Sequence, residues 1–343
     1  MIVLGIETSC DETSASLVSS KKEILSNIIS SQIDIHRPYG GVVPEIASRS
    51  HVEKIDKVIE ISLNKAKISL KEVDAIAATA GPGLIGGLMV GFLASKAIAI
   101  SAGKPFIAIN HLEAHALTPR LTNNIDFPYL LLLASGGHTQ LLEIQGIRKY
   151  KLLGTTLDDA CGECFDKVAK MLDLGFPGGP AIEKAALVGD NEAFNLPKPM
   201  INRNNLDFSF AGLKTAVMNH IPSPISKKNI NDMAASFQRT VGDIFCKKID
   251  RALLSFYKKY SYMPNIVISG GVASNQYIKK RIDDLSIKNN IKLYAPPKSL
   301  CTDNGAMIAW AGIERLNLTP NIFEYDVDVN PRWQLKDVSL HEE

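Results

Sequence analysis

The sequence predicts an α/β protein built on a duplicated plan, with two lobes and a ligand cleft between them. The first observation behind this is a repeated hairpin. Val3-Leu4-Gly5-Ile6-Glu7-Thr8-Ser9 followed by Cys10-Asp11-Glu12-Thr13-Ser14-Ala15-Ser16-Leu17-Val18 reads as strand, polar turn, strand, and Leu130 to Ile144 repeats it around Ser135-Gly136-Gly137-His138-Thr139. The second is a later strand in each half that runs into glycines and then a helix. Ala75–Thr79 leads into Ala80-Gly81-Pro82-Gly83, and Ile266–Ser269 into Gly270-Gly271-Val272-Ala273-Ser274-Asn275. Tips and turns of this kind offer backbone N–H groups to a phosphate, and a helix N-terminus favours an anion. Two such loops in one order, twice over, put phosphate-binding loops in both lobes.

The polar stretch Asn123–Phe127, ending at Pro128, marks the boundary and gives lobes of 1–125 and 126–343. The last helix of the second lobe is able to pack back on the first. The prolines and asparagines of 195–231 read as a loop-rich elaboration of the second lobe.

Composition sets the class. The chain has 343 residues, 45% hydrophobic and 22% charged, with a net charge of +2. That is a soluble globular composition with no bulk signature of a nucleic-acid binder, and Lys247-Lys248, Lys258-Lys259 and Lys279-Lys280-Arg281 read as solvated helix faces. Five widely spaced cysteines argue for a reducing cytoplasm over a disulfide framework, and Cys161-Gly162-Glu163-Cys164, a lone pair, reads as packing at a helix start. The N-terminus reads as the first strand of the fold, with no signal peptide. Ala75 to Ser95 has no charged residue, but Gly81-Pro82-Gly83 divides it into a strand, a turn and a helix starting near Leu84, so no membrane span is expected.

Lys104 to His115 reads as a strand turning into a helix. His111 and His115, four residues apart, share one helix face, the spacing a metal needs. The string differs from a zinc-protease helix, because Glu113 lies roughly 200° around the helix from His111 and points away from any ion the pair would hold. Asp303, before the apolar run Ala306–Trp310, either caps that helix or supplies a third ligand. Two histidines and a carboxylate with open positions suit Fe(2+), or Zn(2+) in a catalytic site.

Glu7-Thr8-Ser9-Cys10-Asp11-Glu12-Thr13, the Lys104–His115 string, Ser135-Gly136-Gly137-His138-Thr139, Gly162-Glu163-Cys164-Phe165-Asp166-Lys167, Pro177-Gly178-Gly179-Pro180, Asp207-Phe208-Ser209-Phe210, Gly270-Gly271-Val272 and Cys301-Thr302-Asp303-Asn304-Gly305-Ala306-Met307 resemble, in order and spacing, the TsaD family. The resemblance runs over nearly the whole chain and is to the bacterial or organellar members. It implies a duplicated, two-lobed actin-like ATPase fold, from the superfamily of actin, chaperone ATPases and sugar kinases. It implies one divalent ion, usually iron, on His111, His115 and Asp303. It implies substrate contacts at Leu133, Ala134, Ser135, Gly136, Gly137, Asp166, Gly179 and Asn275. Glu183 stands where relatives often carry aspartate, and Ala134 where they often carry valine.

The implied reaction moves threonylcarbamoyl from an adenylate to the exocyclic amine of the adenosine beside the anticodon, in tRNAs reading codons that begin with A. An amine delocalised into the adenine ring is a poor nucleophile, so positioning, carbonyl polarisation and proton acceptance must do the catalysis. Asp11 and Glu12, on the first hairpin tip, are the candidates for orienting the attack or taking the proton. A kinase or ATPase of the same superfamily has no need of the His pair, and a non-catalytic scaffold paralogue lacks it. The resemblance also implies tRNA, threonylcarbamoyl-adenylate and ATP-like nucleotides as ligands, with a TsaB-like paralogue and a TsaE-like ATPase as partners. Gly83, Gly87, Gly91, Ser95 and Ala99, every fourth residue, give one helix face with almost no side chains, which serves either a helix-to-helix dimer or close packing inside the lobe.

Overall fold

The computed structural model describes residues 1–221, 226–320 and 322–338. The chain opens with β1 (Ile2–Glu7), β2 (Glu12–Ser19) and β3 (Ile24–Ser31), an antiparallel meander, then a short α1 (Ile33–His36) and a long α2 (Pro44–Ala66). β4 (Ala75–Gly81), α3 (Ile85–Ala102), β5 (Phe106–Asn110) and α4 (His111–Thr122) follow. β4 and β5 add in parallel beside β1, so the sheet runs β3-β2-β1-β4-β5.

The second unit repeats this. β6 (Tyr129–Ala134), β7 (Thr139–Gly146) and β8 (Lys149–Thr155) precede α5 (Cys161–Met171), α6 (Gly178–Ala186), α7 (Ala211–His220) and α8 (Lys227–Tyr260). β9 (Ile266–Ser269), α9 (Gln276–Lys288) and β10 (Leu293–Tyr294) complete a sheet ordered β10-β9-β6-β7-β8. Each sheet, followed outward from its hairpin, has the same order and the same antiparallel and parallel neighbours, so the duplication read from the hairpins is real.

The chain does not divide at one point. The first compact unit holds Met1–Ile125, Gly146–Tyr150 and everything from Pro296 onward, including α10 (Gly305–Leu318). The last helix, expected to be able to pack back on the first lobe, does so, and this takes the segment from Pro296 out of the expected second lobe of 126–343. The reason is period-two alternation on β1. Leu4 and Ile6 face the core formed with Ile55, Val58 and Ile59 of α2 and Phe92 of α3. Val3 and Gly5 face the other way, and α10, buried from Gly305 to Leu316, covers them. A Cβ on Gly5 would stand 2.2 Å from the Gly305 carbonyl oxygen, and one on Gly305 would stand 2.6 Å from that of Gly5. Paired glycines therefore let the α10 N-terminus lie directly on β1. A strand covered on both faces needs a continuous apolar run, which Ile2 to Ile6 supplies.

Two other expectations change. Residues 195–231 are not loops throughout: Asp158 Oδ1 accepts from the N–H groups of Phe210 (2.8 Å) and Ala211 (3.3 Å), and this starts α7, which buries Leu213 and Val217 four apart. Residues 222–225 of that stretch lie outside the described residues. Lys248 is not on a solvated face; it is fully buried, and its ammonium donates to the Asn205 carbonyl at 2.7 Å. All five cysteines are free thiols, and Cys161 and Cys164 are buried at the start of α5, where burial pushes both up, Cys164 to about 12.

α3 is long and apolar enough to cross a membrane by length and composition, with a third of its 18 residues buried. Its buried face is the glycine stripe. A Cβ would meet the Ser9 carbonyl oxygen at 2.6 Å from Gly83 and that of Thr8 at 2.5 Å from Gly87, while Ser95 and Ala99 are fully buried. The stripe is thus used inside the first unit and is not free to pair with another chain.

Candidate functional site

β5 ends at Asn110, whose side chain caps α4 by accepting from the N–H groups of Leu112 (2.9 Å) and Glu113 (3.2 Å). The cap fixes where the helix starts, and so puts His111 and His115 on one face with ring centroids 4.7 Å apart. Asp303 reaches them from the residue preceding the cap of α10. That cap is Asn304, accepting from Met307 N–H at 3.1 Å, so the alternative of Asp303 as the cap is settled against it. Gly305 N–H donates to Ser14 Oγ at 2.8 Å and anchors the turn on β2. Asp303 Oδ1 lies 3.1 Å from His115 Nε2 and 3.5 Å from His111 Nε2, and one donor atom from each residue falls within 4.8 Å of the others. Donors about 2.1 Å from one ion stand roughly 3.0–3.4 Å apart in octahedral or tetrahedral geometry.

The surroundings suit a cation. His111 Nδ1 faces Glu7 Oε2 at 3.1 Å and Ser9 Oγ at 3.2 Å, leaving Nε2 toward Asp303. A carboxylate that takes the Nδ1 proton fixes the tautomer whose Nε2 lone pair can coordinate. Glu7 is itself fully buried and accepts from Thr79 Oγ1 at 2.5 Å and from Ser9 N–H at 2.5 Å. Burial alone would push the His111 imidazole down, but Asp303 and Glu7 outweigh it and hold it up at about 9. His115 Nε2 meets Asp303, while its buried Nδ1 has no hydrogen-bond partner among the described residues. Asp303, 20% exposed against 8% and 1% for the two histidines, leaves the open side.

Glu12 lies within this field. Burial first, then Asp11, Asp303 and Glu7, pushes its carboxyl well above the usual carboxylate range. Asp11, the other tip acid, accepts from Gln32 N–H through its carbonyl at 3.0 Å. Glu113 points away, as its position on the helix requires. It pairs with Arg315 of α10 at 2.5 Å and accepts from Tyr150 Oη at 2.8 Å, tying the histidine helix to the aspartate helix. Glu7, Ser9, Glu113 and Arg315 had no assigned role in the sequence reading. The one available signal was an acid ending a buried apolar strand, at Glu7.

The second unit gathers the other expected residues. Leu133 and Ala134 end β6, and Ser135 N–H donates to the His138 carbonyl at 2.8 Å to close the tip. Gly162, at the start of α5, donates to the Ser135 carbonyl at 3.1 Å, and Gly270 passes so close that a Cβ would stand 2.5 Å from the Ala134 carbonyl oxygen. Gly270 has φ +91, which also restricts the position to glycine. Gly136, Gly137, Gly179 and Gly271 each face open space. Asp166 Oδ1 accepts from Gly178 N–H at 2.7 Å at the start of α6. Glu183 Oε1 accepts from Gln276 N–H at 2.6 Å, and Asn275 caps the same helix, α9, while donating to Gln238 Oε1 at 2.7 Å. These three side chains thus hold helix N-termini, beside glycines that leave backbone uncovered.

A duplicated sheet with this strand order defines the class: an actin-like ATPase fold. Solved structures agree. Component A of the (R)-2-hydroxyglutaryl-CoA dehydratase of Acidaminococcus fermentans matches 93% of this chain and 100% of its own, with TM-score 0.54 and 13% identity. HypF of T. kodakarensis matches 92% of this chain and 47% of its own, with TM-score 0.60 and 14% identity. At such identities the likeness is one of fold. The family follows from sequence: the profile of TsaD, tRNA N6-adenosine threonylcarbamoyltransferase, matches residues 23–310. The proteins of that name from Paramagnetospirillum magneticum and Brucella canis are 50% and 51% identical, covering 98% and 99% of this chain and 97% and 96% of their own. The chain belongs to the TsaD family of tRNA N6-adenosine threonylcarbamoyltransferases, and it is a transferase.

Proposed function

We propose that this chain transfers threonylcarbamoyl from threonylcarbamoyl-adenylate to the exocyclic amine of the adenosine beside the anticodon, in tRNAs reading codons that begin with A, with a divalent ion held by His111, His115 and Asp303. The observation that carries the reading is the convergence of those three donors around a carboxylate-backed imidazole, within a chain of this family. The N6 atom bonds to the carbamoyl carbon as the bond from that carbon to the adenylate phosphate oxygen breaks. AMP leaves, and one N6 proton must be taken up. Iron(II), or zinc(II), at the three donors would supply Lewis-acid polarisation of an oxygen of the transferred group. Asp11 and Glu12 orient the amine or accept its proton. The adenylate, or an ATP-like nucleotide, is held by Leu133 to Gly137, Asp166, Gly179, Glu183 and Asn275, whose glycines let phosphate oxygens reach backbone N–H groups.

The test is direct. The purified, metal-loaded chain is incubated with unmodified tRNA, threonylcarbamoyl-adenylate and its partners, and the digested nucleosides are analysed by mass. Threonylcarbamoyladenosine is expected; its absence in the complete mixture overturns the reading.

The partners are a TsaB-like paralogue and a TsaE-like ATPase, in a reducing cytoplasm that agrees with five free thiols. The paralogue docks on the outward face of α3. Ile85, Met89, Leu93 and Ile100 there are 50%, 44%, 51% and 58% exposed, an apolar stripe opposite the glycines. Leu93→Asp is expected to abolish co-purification with the paralogue and leave the melting temperature within a few degrees; unchanged co-purification refutes this docking face.

A further inference from the structure

α3 holds the residues that hold His111. Thr8, 1% exposed, lies between Glu7 and Ser9, the two side chains at His111 Nδ1. Its hydroxyl donates to the Gly87 carbonyl at 2.8 Å and accepts from Gly91 N–H at 3.2 Å. Gly87 and Gly91 are the carbonyl and amide of one rung of a helix ladder, so the Thr8 hydroxyl is inserted into the rung. A third bond joins the same segment one turn earlier, from Leu84 N–H to the Ser9 carbonyl at 2.8 Å. The glycines make this possible, because a Cβ on Gly91 would stand 2.2 Å from Thr8 Oγ1.

We propose that Thr8 is a positioning residue for the metal centre, clamping the Glu7–Ser9 segment to α3 so that both side chains meet His111 in register. This rests on the metal reading above. Thr8 touches neither ligand nor substrate. It acts through Glu7 and Ser9, which set the tautomer and orientation of the His111 ring. Partners that orient a metal-ligating histidine change metal affinity by about 10- to 100-fold when lost.

The probe is cobalt(II), whose visible absorption reports ligand geometry, titrated into the full-length chain. Thr8→Val, which keeps the shape and removes the hydroxyl, is expected to weaken cobalt binding by about tenfold or more and to shift the absorption bands, and Thr8→Ser restores both. Thr8→Ala provides the same comparison should the valine variant not fold. If the hydroxyl-free variant binds like the wild type with the same spectrum, or if serine fails to restore binding, the proposal is overturned alone. A wild-type chain that binds no cobalt, or binds it equally well with Asp303→Ala, overturns the metal reading and this proposal with it.

Discussion

Replacing His111 by alanine is expected to abolish tight divalent-metal binding and to lower transfer activity by roughly a thousandfold, the equivalent of about 4 kcal/mol of transition-state stabilisation. Two donors remain, and Glu7 loses the imidazole it is buried against. The fold survives, because the α4 cap on Asn110 and the contacts of α10 with β1 do not involve the His111 ring. Metal content by elemental analysis, circular dichroism and turnover test these three statements together; full turnover with no bound metal refutes the assignment. The pH dependence is a second readout. With His111 held up at about 9, an ion must displace a proton, so apparent affinity is expected to rise about tenfold per pH unit from 7 to 8. The metal-free chain follows the opposite sign. A raised imidazole stabilises the folded state fully below its ordinary 6.5 and loses that contribution as pH rises through 9.

Replacing Glu113 by alanine is expected to cost about 3–5 kcal/mol of stability, because Arg315, 2% exposed, then loses its main buried partner. Arg315 also donates to the Ala108 carbonyl at 2.9 Å and lies 3.6 Å from Glu324, so the pair joins α4, α10, β5 and the C-terminal segment. The metal ligands sit on α4 and before α10, and cobalt affinity is expected to fall with stability. Chemical denaturation of Glu113→Ala measures the first and cobalt titration the second. The double replacement Glu113→Gln with Arg315→Met leaves no unpaired buried charge and is expected to recover most of the stability. A single alanine variant as stable as the wild type would show that the pair contributes nothing.

Much of this arrangement was legible in local pattern. The hairpins, the glycine turns and the His111–His115 spacing depend on residues within a few positions of one another, where strand and helix periods decide which side chains share a face. Asp303 could be named from its motif, but not separated from a capping role, since cap and ligand differ by one residue and Asn304 takes the cap. The glycine stripe was legible as a face, but not what it faces. A bare helix face admits a partner helix or another segment of its own unit, and only the Thr8 and Ser9 contacts decide between them.

The sequence by itself determined the duplicated α/β plan, the helical histidine pair and membership of the TsaD family, because each is written in short-range periodicity or in ordered motifs. Only the tertiary structure decided that α10 returns to the first sheet, and so that Asp303 meets two histidines 188 and 192 residues earlier in the chain. The physical reason is complementarity at a distance. An apolar helix and a strand face of small residues bury each other, and the glycines at 5 and 305 set how closely, while nothing local to either segment records the other.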